Sequence, residues 1–227
     1  MEEGFTKVDN KSPLLKDATK YRSLVGALLY IAVCARPDIA VSASILGRNV
    51  SAPREDNWVA AKRVARYLKT TKHLHLQYGN TTGKLIRYSD ADWAHDNKTR
   101  KSTTGNIFLY TGAAISWVSR LQGCVTLSFM ESEYVALSEA IQEAVWLRKL
   151  LEDFGEPQID PVIIFEGNQS CIKFVGSKRI SRRSKHIETR KYFVKQLCDD
   201  SVLKLVYCPA EEMVADALTK LLGRIKL

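Results

Sequence analysis

The sequence predicts an α/β protein: a mixed central sheet flanked by helices and preceded by a small helical segment. Three observations carry this. After Gly79, three short runs at residues 85–88, 106–110 and 114–118 are rich in β-branched and aromatic residues and separated by turns read at Gly105 and Gly112, the pattern of an antiparallel meander. A long helical pattern then runs from Phe129 to Phe154 and stops at Gly155 and Pro157. Beyond it strand-like and helical segments alternate, as in a sheet covered by helices.

Taken in order, residues 1–20 are polar and aperiodic, and the apolar run from Tyr21 reads as a buried helix that ends at Arg36-Pro37. Pro37 cannot donate a backbone hydrogen bond, so it breaks that helix and starts a second one toward Gly47. From Glu55 to Thr70, Trp58, Ala61, Val64, Ala65 and Leu68 fall on one helical face, with Lys62, Arg66 and Lys69 on another. Past the long helix come a strand at 162–165, a short helix from Asn168, a basic linker and helix to Asp199, a strand at 203–208 and a last helix at 214–222. The expected organisation is a polar segment at 1–20, a helical segment at 21–80, and the sheet-bearing domain at 81–227.

With 45% hydrophobic and 26% charged residues, the 227-residue chain can bury a core of its own and is neither disordered nor fibrous in composition. A net charge of +9 and a pI near 9.3 favour a polyanionic partner. The five cysteines are scattered without a C-x-x-C pair or zinc spacing, which fits a reducing compartment. The apolar run at 27–35 is half of what a bilayer requires, and the first residues lack a basic leader, so no membrane partner is expected.

Asp90 and Asp92 stand two apart at the end of the first strand pattern and can share a face, although acidic strand ends also serve as ordinary turns. On the long helix, Glu133 lines up with Leu137, Ala140 and Ala144 and is expected to face the sheet. Glu131 lines up with Val135 and Ser138, is expected to face away, and has a sufficient role in a capping box with Ser128. Asp216 sits where a helix dipole favours an acid in any protein. Together, Asp90, Glu133 and Asp216 could offer hard oxygen ligands to magnesium. The tract at 178–195 contains Arg182, Arg183, Lys185 and Arg190 and one acid, Glu188. It reads as a solvated linker or as a grip on a phosphate backbone. His186 and the stripe Lys62, Arg66 and Lys69 carry the same two readings.

Several motifs occur in one order: Tyr-Ser-Asp-Ala-Asp-Trp-Ala at 88–94, Lys-Ser-Thr-Thr-Gly at 101–105, Ile-Ser-Trp at 115–117, Glu-Ser-Glu-Tyr-Val-Ala-Leu-Ser-Glu-Ala at 131–140, Asn-Gln-Ser at 168–170, Lys-His-Ile-Glu at 185–188 and Ala-Asp-Ala-Leu-Thr-Lys at 215–220. In this order they resemble the ribonuclease H domain of copia-type LTR retrotransposon Pol polyproteins. Upstream, the stretches at 21–26, 28–30, 36–39 and 61–68 resemble the reverse-transcriptase tail, thumb or connection, that precedes that domain.

The resemblance implies a ribonuclease H-like five-stranded sheet and a nuclease that cuts the RNA strand of RNA–DNA hybrids. It implies two magnesium ions held by Asp90, Glu133, Asp216 and a fourth carboxylate directly before Asn168. Gly167 stands there. Glu166 and Asp92 are the possible substitutes, but neighbouring strand residues face opposite sides, so Glu166 is expected to start by pointing away from the metals. Phe129 and Met130 replace the small polar residues the family has ahead of the helix glutamates. The expectation is therefore an impaired nuclease, or a non-catalytic nucleic-acid-binding remnant. The polymerase palm, a further implied partner, lies outside this sequence, and no polymerase activity is expected of it. The resemblance also implies an intracellular place, in a cytoplasmic retrotransposon particle or in the nucleus.

Overall fold

The computed structural model describes residue 5 and residues 12–79, 83–177 and 188–221. Three helices come first: α1 (Thr19–Cys34), α2 (Ala40–Gly47), entered through a 3-10 turn at Pro37–Ile39, and α3 (Glu55–Thr70). The meander is β1 (Ile86–Asp92), β2 (Thr103–Tyr110) and β3 (Ala113–Leu121), followed by α4 (Phe129–Asp153), β4 (Val162–Glu166), α5 (Gln169–Gly176), α6 (Glu188–Asp199), β5 (Leu203–Tyr207) and α7 (Asp216–Thr219). The strands form one five-stranded sheet in the order β3-β2-β1-β4-β5. β1, β2 and β3 pair antiparallel, while β4 and β5 add in parallel. An antiparallel meander extended by two parallel crossover strands is the ribonuclease H arrangement.

Both faces of the sheet are covered, as parallel strands require. On one face α4 lies across β1 and β2 with α5 and α6 beside it. Tyr134, Leu137, Ile141, Ala144 and Leu147 close there on Phe108, Ile164 and Leu203. On the other face the helical segment and α7 close on the sheet, and Tyr21, Val25, Leu28 and Ala61 share one apolar cluster with Ile107, Ala114, Met213 and Leu218. Residue 80 thus divides the chain in sequence, while one core runs across it. Trp117 of β3 ties the layers further, its indole N–H donating to the Ala32 carbonyl at 2.7 Å.

The structure revises three local expectations. β1 continues through Asp92, so Asp90 and Asp92 lie within a paired strand, opposite Gly105 and Thr103. Gly105 is inside β2 and makes no turn; the turn between β2 and β3 falls at Thr111 and Gly112, where both φ angles are positive. The last helix is one turn, Asp216–Thr219, because it starts only after a run of turns held by bonds such as Met213 O to the Asp216 N–H. Among the described residues, no helix is long and apolar enough to cross a membrane.

Gly105 has a packing role. A Cβ there would lie 2.6 Å from Thr219 Cγ2 and 3.0 Å from the Ala215 carbonyl. Its hydrogen is what lets α7 settle onto the middle of the sheet. Gly105→Ala is expected to cost about 1–3 kcal/mol through overpacking. Gly123→Ala, where a Cβ meets nothing within 4 Å, should cost far less. Equilibrium denaturant unfolding of the two variants measures the difference.

Candidate metal and nucleic-acid site

β1 pairs with β2 from Ile86 to Asp92 and with β4 from Ile86 to Ser89, so its side chains alternate between the two layers. Arg87, Ser89 and Ala91 turn to the α4 side, and Tyr88 and Asp90 turn to the α7 side. Tyr88 there stacks on Phe165, with ring centroids 4.8 Å apart. Asp90 accepts a short hydrogen bond from the Thr219 hydroxyl and lies 3.5 Å from the Lys220 ammonium. Lys220 also donates to Asp216 at 2.7 Å, so one cation bridges the two aspartates. The i, i+4 spacing of Asp216 and Lys220 in the Ala-Asp-Ala-Leu-Thr-Lys motif was the signal for this pair.

Glu133 enters from α4, whose start is fixed by two hydrogen bonds: Ser128 Oγ accepts the Glu131 N–H and Glu131 accepts the Leu127 N–H at 2.8 Å. Ser128 therefore caps the helix as expected, but Glu131 is buried and its carboxylate takes the Leu127 N–H, one residue before the cap, instead of completing the capping box or facing away. Glu133 is buried beside Glu166 and Asp90, with the Ala91 N–H near it. Glu166, the last residue of β4, pairs in register with Ser89 and lies on the α4 side. It is fully buried; one oxygen accepts the Asn168 N–H at 2.9 Å. Gly167 follows on the opposite side, where a Cβ would meet Met213 Cε at 3.5 Å and the Cys208 carbonyl at 3.9 Å, both ordinary contacts. Asp92 is held by His95, 2.8 Å away.

Burial dominates the electrostatics. It pushes Glu133 up to about 10, with Glu166 and Asp90 adding repulsion. Burial likewise lifts Glu166 to about 8, against the opposing pull of the Asn168 N–H. Asp90 is raised by burial in spite of Lys220 and Thr219. Arg87, fully buried in the same layer, is pushed down to about 9 by burial and donates to Asn106 at 2.7 Å.

Does this set suit magnesium? The donors are all carboxylate oxygens, the hard ligands magnesium prefers. Glu133 and Glu166 each keep one buried oxygen without a hydrogen-bond partner among the described residues, an arrangement a cation would relieve. The donor chemistry fits. As the side chains stand, no three such groups among the described residues converge closely enough to hold an ion, and Lys220 supplies the positive charge between Asp90 and Asp216.

The basic candidates separate. Arg182, Arg183, Lys185 and His186 lie outside the described residues. Arg190 donates to Ser138 at 3.3 Å. Lys191 is buried, with its ammonium 4.3 Å from the Phe174 ring centre and bonded to Ser177, so part of the basic tract serves the interior. Lys62, Arg66 and Lys69 are exposed on α3, which packs on α1 and α2. Lys62 covers the Trp58 ring, and Arg66 donates to the Lys62 carbonyl.

Fold and site together define a ribonuclease H-like protein. No protein-family model matches the chain. It is 38% identical to the retrovirus-related Pol polyprotein from transposon TNT 1-94 of Nicotiana tabacum, over 97% of this chain and 16% of that polyprotein. It is 48% identical to the secreted RxLR effector protein 161 of Plasmopara viticola, over 56% of this chain and 90% of that protein. A structure of the foamy viral protease-reverse transcriptase in complex with double-stranded DNA shares the fold over 90% of this chain and 40% of its own, with a TM-score of 0.54 and 12% identity. Its relatives over most of the chain are retrovirus-related Pol polyproteins of copia-type transposons, and it spans only 14–16% of their length.

The raised carboxyls set a pH dependence. Glu133 and Glu166 have folded values of about 10 and about 8, above the ordinary 4.5, so the folded chain holds more protons than the unfolded one between those values. Their contribution to stability is full below pH 4.5 and falls as pH rises. In chelator, the thermal midpoint of Glu133→Gln should decline less between pH 6 and pH 9 than that of the natural chain. Parallel declines would show that Glu133 does not titrate in this window.

Proposed function

We infer that this chain is a ribonuclease H-type nuclease domain that engages RNA–DNA hybrids and cuts their RNA strand poorly. The observation that carries the reading is the position of Asp90, which shares Lys220 with Asp216 on one side and lies near the buried Glu133 on the other. Those three side chains would hold magnesium, two ions by the family pattern. When bound, magnesium supplies an activated water and stabilises the leaving oxygen of an RNA phosphodiester.

The chain's own residues set how well this can work. Asp90 is oriented by Thr219, and Asp216 and Asp90 share Lys220, which must give way before either takes a metal. Gly167 removes the fourth carboxylate from Asp90's side of the sheet. Glu166 places one on the other side, beside Glu133. The phosphate grip is assigned to Arg182, Arg183, Lys185, His186 and Arg190, with Lys62, Arg66 and Lys69 as a second surface. The polymerase palm of the polyprotein is the proposed protein partner. The domain boundaries proposed are 21–80 and 81–227, and the place of action a cytoplasmic particle or the nucleus.

A second reading, a nucleic-acid-binding remnant without metal chemistry, is favoured by the Lys220 bridge, which gives Asp90 and Asp216 a shared counter-charge without a metal.

A hybrid-cleavage assay with magnesium separates them. Loss of one anionic ligand costs about 3–5 kcal/mol of transition-state stabilisation, so cleavage should be slower than in a complete site by roughly two to four orders of magnitude. Gly167→Asp, whose Cβ would make only ordinary contacts, is expected to raise magnesium-dependent cleavage at least about tenfold. Glu166→Ala should change little. Strong cleavage abolished by Glu166→Ala would make Glu166 the fourth ligand, and an inert Gly167→Asp would favour the remnant.

A further inference from the structure

Two aromatic rings stand exposed at the rim of the carboxylates. Trp93 directly follows Asp92, and Phe129 opens α4 four residues before Glu133. Their ring centres are 5.9 Å apart and tilted by 50°. Phe129 is 54% exposed and Trp93 39%, with Val125 and Leu127 exposed next to them. Phe129, which replaces a small polar residue of the family, sets its ring against Trp93.

The rings are held firmly. The Trp93 indole N–H donates to the Thr126 carbonyl at 3.2 Å. Ser102 Oγ bonds the Ala94 N–H and Thr126 Oγ1, and the Gln122 N–H donates to the Ser102 carbonyl. Lys101 closes the same two loops by donating to the Gly123 carbonyl at 2.9 Å. Below them the bonds of Ser128 and Glu131 fix the first turn of α4. Little further ordering is needed for something to stack on the exposed ring faces.

The charge around the rings selects the occupant. The loop after Trp93 carries Lys98, Arg100 and Lys101 against Asp96, and Asp96 is already engaged by Thr99 and Arg48. An aromatic face edged by cations is the composition that binds single-stranded nucleic acid, through stacking on bases and attraction of phosphates. A paired hybrid has its base faces stacked on each other and cannot use such a surface. The geometry points to a stacking platform, Trp93 and Phe129 with Arg100 and Lys101 in the loop that follows Trp93, that takes an unpaired nucleotide adjoining the hybrid. This rests on the nucleic-acid reading above and adds a preference for junctions between hybrid and single strand.

The experiment compares binding of the full chain to a blunt hybrid and to the same hybrid with a short single-stranded overhang bearing 2-aminopurine, in magnesium-free buffer. The overhang is expected to tighten binding roughly tenfold, the effect of one base stacked on an aromatic side chain, and to change the 2-aminopurine emission. Phe129→Ala should abolish the preference while leaving blunt-hybrid affinity within about twofold, and Phe129→Tyr, which keeps the ring, should retain it. Equal affinity of the natural chain for both hybrids, or a preference that survives Phe129→Ala, overturns the platform and leaves the hybrid reading standing. Failure to bind either hybrid overturns the hybrid reading itself, and the platform with it.

Discussion

The central place of β1 constrains everything around it. A strand hydrogen-bonded on both edges cannot rotate its side chains out of the pleat, so each residue belongs to one layer or the other. Arg87 and Ser89 are committed to the α4 layer, and Tyr88 and Asp90 to the layer of α7 and the first three helices. An acid in the middle of such a strand must find its partner within one layer. Asp90 finds Thr219 and Lys220, and Gly105, directly across in β2, is bare enough to let them reach it.

That arrangement gives the two layers different electrostatic solutions. On the α7 side the carboxylates are balanced by an ammonium, at an exposed edge where Lys220 keeps water. On the α4 side two glutamates share a dry space with the one fully buried guanidinium among the described residues, Arg87, which bonds Asn106 and not either acid. Without a closer counter-charge, neutral carboxyls are the cheaper state there. This is why Glu133 and Glu166 rise so far. The two solutions meet at Asp90, which feels both groups.

Much of this was legible in the chain. The order of elements followed from periodicity and stop signals, because strands and helices repeat differently along a sequence. Motif order singled out Asp90, Glu133 and Asp216; in the structure Asp90 shares Lys220 with Asp216 and lies near the buried Glu133. What periodicity could not show was contact between distant segments. Gly105 looked like a turn residue because a glycine among strand formers usually marks one, whereas its purpose depends on α7 arriving from 110 residues later. Glu131 was assigned outward by helical spacing, but a first-turn side chain can bend back to its cap. Lys191 counted as one more cation in a basic tract until Phe174 and Ser177 enclosed it. The helical segment before residue 80 was set apart because the pattern turns to strands after Gly79, and its apolar residues share one cluster with the sheet and α7.

The same alternation that organises β1 gives the exchange at 166 and 167 its meaning. A carboxylate moved by one residue along β4 does not move by a few ångströms within one site; it crosses to the other layer. Glu166 therefore adds charge to the side that already has Glu133 and little to neutralise it, and Gly167 removes charge from the side where Lys220 is waiting. With an acid at 167, Lys220 would serve three carboxylates and bind none of them tightly, leaving room for a divalent ion to compete. With glycine there, one lysine serves only two aspartates, Asp90 and Asp216, and stays bonded to both. In the proposed reading, the choice between a metal centre and a salt bridge thus turns on the position that carries no side chain.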